Sequence, residues 1–355
     1  MTRLAVLLGS TAAFLGVLLL LNWWVDPFSD HYRAQAVASA LRHKPRCDVS
    51  TEVLQDSTWP AYKIDLFRRR QGRTIVVGTS RIWKMGARAG ESHFVNESLP
   101  GMAADSIPIL FRRLGELTHG RRLTVFLHID PFWFTDVQRS SSFARLSLYA
   151  RVKELGSAET LRATLAELRS DPLDLVNPPS RQNPTVSSSH RGCLLDEEHA
   201  VARLGANAWA PDGTFVYNYE LTGVVPGRED FLSGPEGAAM RGSHLDPEPI
   251  QRIQEALAFA KTRGWRLVGF SAPLSPGTIT RVRQDPAGAA LLRVFRREIP
   301  PLFSAQGFPF VNLLEGAARV SCTDDDYLRH DGAHMNTACA NRVRIVLERA
   351  ELRTR

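Results

Sequence analysis

Two short clusters in this chain carry side chains able to do nucleophilic chemistry. The first is Gly78-Thr79-Ser80-Arg81, directly after the β-branched run Thr74-Ile75-Val76-Val77. A serine on a tight turn at the carboxyl end of a central strand presents its hydroxyl at the sheet edge where open α/β folds bind ligands. Such a serine is also an ordinary N-cap for a helix that follows a strand. The second cluster is His330-Asp331-Gly332-Ala333-His334, just before the last helical stretch. The Asp331-x-x-His334 spacing lets one turn set a carboxylate behind an imidazole. The carboxylate then fixes the tautomer, and the second ring nitrogen can take a proton from a hydroxyl. A solvated turn with Asp331 as a helix cap is the alternative. A third reading gathers Asp324, Asp325, Asp326, His330 and His334 around a divalent cation. The acids show no ligand spacing of that kind and read better as a solvated loop, so neither a metal nor an organic cofactor is expected.

These clusters need elements to hold them. Strands are expected at 74–77, 94–95, 123–129, 267–270 and 308–312, and helices at 103–117, 249–262, 288–297 and 337–352. Strands alternating with helices imply βαβ crossovers: an α/β fold with a mainly parallel sheet and helices on both faces. From Phe134 to Leu245 the rhythm breaks into helical pieces between Leu146 and Arg169, followed by Pro- and Gly-rich segments such as Asn177-Pro178-Pro179-Ser180 and Pro211-Asp212-Gly213. So long a loop does not belong inside a compact domain, and the stretch 134–245 reads as an insertion over one end of the sheet. Its aromatics Trp209, Phe215, Tyr217 and Tyr219 suit stacking on sugar rings, or else make a small core for the insertion itself. Residues 31–70, helical runs broken by Pro45 and Pro60, read as a juxtamembrane connector.

Between Leu4 and Leu21 only Gly, Ser and Thr interrupt the apolar side chains, and Trp23 and Trp24 stand at the exit before Asp26-Pro27. A bilayer-length helix with an aromatic belt fits this pattern. Bulky Trp23 and Trp24 occupy the place of a small-x-small cleavage site, so residues 1–30 are expected to be an uncleaved signal anchor. Arg3 places the N-terminus in the cytoplasm and the body outside the inner membrane. In a chain of 355 residues, 44% hydrophobic and 23% charged, no second segment is apolar enough to span, which excludes a polytopic transporter. The net charge of +7 comes from Arg scattered among Asp and Glu, with no basic block to suggest nucleic acid. Cys47, Cys193, Cys322 and Cys339 allow three pairings, and Cys322 with Cys339 across a short loop is the first to expect. Buried free thiols are the alternative.

Taken together, the serine after the first strand and the Asp-x-x-His before the last helix give the order Ser, Asp, His. In this the chain resembles the SGNH (GDSL-like) esterase and acyltransferase superfamily, over about Arg73 to Asp130 and Arg266 to Leu352. The resemblance implies a flavodoxin-like three-layer α/β/α domain at 71–352, with Ser80 as nucleophile, His334 as base and Asp331 behind it. Asn96-Glu97-Ser98-Leu99-Pro100-Gly101 looks like the family's second block, whose glycine, here Gly101, lends a backbone N–H to the oxyanion beside that of Ser80. Asn96 is a further side-chain donor or a turn residue. His128-Ile129-Asp130-Pro131 falls at the third block. Two positions depart from the family: Thr79 replaces an Asp, and Asp130 replaces the oxyanion Asn. A carboxylate there repels a developing oxyanion unless neutralised, and Arg81 is placed to pair with it as a wall of the site. The anchor, the Asp-Pro and the insertion are similar to membrane-anchored SGNH-like proteins of bacterial envelopes. That implies acyl chemistry on an acylated or acceptor glycan, with a membrane acyl-donor protein as a partner and no nucleic acid. A non-catalytic glycan-binding or scaffolding protein of the same fold is the rival, favoured by Asp130, and the Ser80 to His334 distance discriminates the two.

Overall fold

The computed structural model describes residues 2–25, 37, 40–41, 46–51, 59–135, 158–170, 185–189, 192–196, 207–217, 230–328 and 331–353. In chain order its main elements begin with α1 (Thr2–Val25), β1 (Asp48–Ser50), α2 (Trp59–Arg70), β2 (Thr74–Val77), β3 (Phe94–Asn96), α3 (Ser106–Leu117) and β4 (Thr124–His128). They continue with α4 (Ala158–Ser170), β5 (Thr185–Ser189), β6 (Gly192–Asp196), β7 (Ala208–Trp209) and β8 (Phe215–Val216). The C-terminal part holds α5 (Pro247–Thr262), β9 (Arg266–Ser271), α6 (Pro276–Gln284), α7 (Pro286–Ser304), β10 (Phe310–Asn312) and α8 (Thr337–Leu352). Contacts divide the chain into two units. One comprises 1–65, 143–211 and 216–222; the other comprises 66–142, 212–215 and 223–355.

The larger unit is built on a five-stranded sheet of order β10-β9-β4-β2-β3, every neighbouring pair parallel. Counted along the chain within this sheet the order is 2-1-3-4-5, compatible with a flavodoxin-like fold, and the switch point lies between β2 and β4. Period-2 alternation shows why both faces are covered. Val76, Phe126, Val268 and Phe270 join a core with Cys339, Ala340, Val343 and Leu347 of α8. Ile75, Val77, Val125, Leu127 and Leu267 are equally buried, and their alternate positions point them to the opposite face. On that face Gly269 leaves room for the Phe303 ring of α7, which any Cβ would strike.

Three elements depart from expectation. Helix α7 runs on through Pro300 and Pro301 to Ser304, where the sequence suggested a stop near Arg297. Buried Ile299 and Phe303 anchor its last turns, and that packing outweighs the cost of prolines inside a helix. The helix α6, capped by Ser275 and started at Pro276, was not expected at all. The 31–70 segment is more than a connector. Its β1 pairs in parallel with β6 and antiparallel with β7, in a second sheet of order β5-β6-β1-β7-β8. The insertion therefore completes its sheet with a strand from the N-terminal segment instead of lying as a loop.

The apolar N-terminal stretch forms α1, a helix of 24 residues. Its side chains are described from Gly9 to Trp24, with Phe14, Val17 and Leu20 exposed. Among the described residues no helix, α1 included, is long and apolar enough to cross a membrane, so the transmembrane anchor expected at 1–30 is not found among them.

Candidate active site

Ser80 opens a single 3-10 turn, Ser80–Ile82, at the carboxyl end of β2 and hence at the switch point of the sheet. The turn leaves the strand through Gly78, where a Cβ would lie 2.5 Å from His128 Cβ on the neighbouring β4, so the two strand ends meet only over a glycine. The capping role does not apply, because Thr79 holds the cap position. The Ser80 hydroxyl lies 2.9 Å from His334 Nε2. The other ring nitrogen, Nδ1, is bonded to Asp331 Oδ2. A carboxylate only accepts, so Nδ1 carries the hydrogen and Nε2 offers a lone pair to the Ser80 O–H. Ser80 is 6% exposed, and the His334 side chain 18%.

The Asp331–His334 loop is fixed from three directions. Asp331 Oδ1 accepts the backbone N–H of Ala333 at 2.8 Å and of His334 at 2.9 Å, which aims Oδ2 at the imidazole. Gly332 has φ of +83°, and a Cβ there would strike the Thr278 hydroxyl, so the loop tolerates no side chain there. Its carbonyl accepts from Ser275 N at 2.8 Å, tying the loop to the start of α6. A disulfide between Cys322 and Cys339 closes the loop, as expected, and Cys47 is disulfide-bonded as well. The cation reading finds no support in the acids. Asp326 pairs with Arg342 at 2.7 Å, and Asp324 accepts from Gly277 N at 2.9 Å. Among the described residues no group of His, Cys, Asp or Glu is arranged to hold a metal, and His330 lies outside them.

Behind the serine runs a buried polar network. Arg81 Nη1 donates to Asp130 Oδ1 at 2.9 Å and Nη2 to the Ala272 carbonyl at 2.7 Å, with both charged side chains fully buried. The Thr79 hydroxyl donates to Asp130 Oδ2 at 3.1 Å. Asp130 is thus neutralised by Arg81, as its place in the sequence suggested. His128 Nε2 stands 3.7 Å from Asp130 Oδ2. Complete burial, reinforced by the Arg81 charge, pushes the His128 pKa well below its ordinary value, so this imidazole is neutral.

The second block folds against the serine turn. Glu97 N donates to Val76 O at 2.8 Å and Leu99 N to Gly78 O at 3.0 Å, which lays the segment ending in Gly101 beside Ser80. Gly101 has φ of +59°, a conformation suited to glycine. Asn96 is a clamp. Its fully buried amide donates to the carbonyls of Ile82, Trp83 and Met85 at 3.1, 3.2 and 3.1 Å, so its N–H groups are engaged in holding the turn instead of facing an oxyanion.

The expected glycan contacts fare differently. Trp209 is fully buried, packed edge-on against Trp59 at 5.3 Å with the Lys63 ammonium 3.8 Å over its ring, so it serves as core of its own unit and not as a sugar platform. Tyr217 is half-buried, and Tyr219 lies outside the described residues. Sequence reasoning missed Trp83, which stacks on Phe215 at 4.0 Å and lies 6.2 Å from the His334 ring. Its only signal was its position three residues after the serine. No protein-family model and no curated protein matches the chain.

Proposed function

We propose that this protein is a serine O-acyltransferase or acyl esterase of the SGNH type, attached to the inner membrane through its apolar N-terminal segment and acting outside the cytoplasm on envelope glycans. One observation carries the reading: Ser80 Oγ stands 2.9 Å from His334 Nε2, while Asp331 binds the other nitrogen. Its residues come from opposite ends of the chain and converge in the order hydroxyl, imidazole, carboxylate that nucleophilic acyl transfer requires. The Arg81 pairing of Asp130 removes the main argument for a degenerate, non-catalytic site.

In the proposed reaction His334 Nε2 takes the Ser80 proton as the oxygen attacks an acyl carbonyl, and Asp331 stabilises the imidazolium without accepting the proton. The backbone N–H groups of Ser80 and Gly101 receive the oxyanion. His334 then returns the proton to the leaving group, and an acyl-serine remains. Water resolves it in an esterase, a glycan hydroxyl in a transferase, with His334 again as base. No step calls for a cofactor. A membrane protein that presents the acyl donor is the partner the transferase form of this scheme would use.

The test is labelling of membranes carrying the full chain with a fluorophosphonate probe. Wild type should label and Ser80→Ala should not; equal labelling of both would sink the assignment. With a small chromogenic acetyl ester, addition of a glycan acceptor should divert acetyl from water to the glycan. Fast hydrolysis with no transfer at any acceptor concentration would leave the esterase alone. The protein should remain in membranes after a carbonate wash, and a soluble form beginning near Ala40 would contradict the anchor.

A further inference from the structure

The two hydrogen bonds to the His334 ring, from Ser80 at one nitrogen and to Asp331 at the other, both lie along the ring's edge. Swinging the imidazole about its own side-chain torsions would break both bonds, and a ring packed beside it opposes that swing. Trp83 is such a neighbour: its ring centroid lies 6.2 Å from that of His334 with the planes inclined at 36°, within the ~4.5–7 Å range of attractive aromatic pairs. The indole is itself immobilised. Phe215 covers it at 4.0 Å, Asn96 Nδ2 and Phe215 N both donate to its carbonyl at 3.2 Å, and only 8% of the residue is exposed.

Phe215 arrives on a turn stitched to the same region. Asp212 accepts from Ala87 N at 2.6 Å through its carboxylate and from Asn96 N at 2.8 Å through its carbonyl. The Asp212 carboxylate also accepts from Thr214 N at 3.0 Å and from the Thr214 hydroxyl at 2.7 Å, which sets the turn that delivers Phe215.

We propose that Trp83, braced by Phe215 on the Asp212 turn, is a positioning residue for His334: it holds the imidazole plane toward Ser80 and stabilises the imidazolium that forms when the serine proton is taken. The inference rests on the acyl-transfer reading for its catalytic consequence, though not for the ring contact itself. An imidazolium near the face of an indole gains from the ring quadrupole, and a neutral imidazole does not, so the gain falls on the charged state. Titratable and charged groups near this imidazole include Asp331 on its own loop, Ser80 on the nucleophile turn, the Arg81–Asp130 pair behind that turn, and Tyr327, whose backbone bridges to Met335 next to His334. Burial raises the Tyr327 pKa, so that hydroxyl stays neutral. Arg81 and Asp130 offset one another, and Asp331 and the indole favour the cation.

The experiment compares Trp83→Leu with Trp83→Phe in the full chain. With a small acetyl ester, Trp83→Leu should lower kcat about 3- to 10-fold with KM changed less than about twofold, and Trp83→Phe should restore most of the loss. In a Ser80→Ala background, which needs no turnover, an NMR titration of the His334 ring should show its pKa lowered by about half a unit to one unit in Trp83→Leu and by less in Trp83→Phe. An unchanged titration and kcat in a folded Trp83→Leu protein would overturn the proposal. Equal loss in both variants together with loss of fold would also overturn it, returning Trp83 to the core. A shifted titration in a protein that shows no acyl transfer would sustain the ring contact and refute the proposed activity.

Discussion

Replacing Arg81 with Met tests whether the network behind Ser80 is organised by charge. In the native protein the neighbours of Asp130 include Arg81 at 2.9 Å, Thr79 at 3.1 Å and the neutral His128 at 3.7 Å, and its side chain has no exposure to water. Removing the guanidinium leaves a buried carboxylate without its opposite charge, which costs about 3–5 kcal/mol for a buried pair broken on one side. The Ala272 carbonyl loses its 2.7 Å donor as well, adding about 1–3 kcal/mol. The sum of ~4–8 kcal/mol is comparable with the entire stability of many domains, so Arg81→Met should unfold at far lower urea or label poorly. Asp130→Asn should suffer similarly, since it strands the guanidinium. The double variant carries no charge at this pair and should recover to within about 2 kcal/mol of wild type, a coupling of at least ~3 kcal/mol. Urea denaturation of the four purified proteins gives the cycle. Single variants that each cost under about 1 kcal/mol, or a double variant that costs the sum of the two, would refute the reasoning.

Further expectations follow from the same geometry. The His128 pKa is depressed in the native state, so the unfolded chain binds the extra proton first; stability is full above the unfolded value of ~6.5 and falls as pH drops below it. About 1.4 kcal/mol should be lost between pH ~7.5 and ~5.5, and His128→Asn should remove that slope in denaturation midpoints. Breaking the Cys322–Cys339 bridge, which closes a separation of 17 residues, should cost about 3 kcal/mol and lower the labelling rate of Ser80, measured on the Cys322→Ser, Cys339→Ser variant. An unchanged rate would show that the loop holds His334 without it. Gly78→Ala forces a Cβ into His128, and overpacking of this kind costs about 1–3 kcal/mol; the serine turn should move with it, read as slower probe labelling at unchanged expression.

The triad was legible because its two halves are local motifs with distinct chemistry, a Gly-Thr-Ser turn after a β-branched run and an Asp-x-x-His turn before a helix. The parallel sheet was legible from the short apolar runs, and the Arg81–Asp130 pair from the need to neutralise a charge. What sequence did not reveal depends on long-range packing. Nothing local marks Trp83 as the neighbour of His334, because Phe215 and Asp212, which hold it, lie more than a hundred residues away. β1 has only three residues, too few for a periodicity, and it becomes a strand by pairing with β6 and β7. Trp209 looked like a sugar platform because an aromatic beside a turn has the same sequence whether it faces solvent or Lys63.

The separation of 254 residues between Ser80 and His334 also orders events during biosynthesis. At ~5–20 residues per second a ribosome completes the nucleophile roughly 13–50 s before the base exists. Throughout that interval β2 and its serine turn lack both the imidazole and α8, which covers one face of the sheet. On the proposed mechanism no nascent intermediate carries an activated serine. The Ser80 hydroxyl meets its imidazole only when the C-terminal part arrives, and a chain cut short before Asp331 should fail to label with the probe whatever else of it has folded.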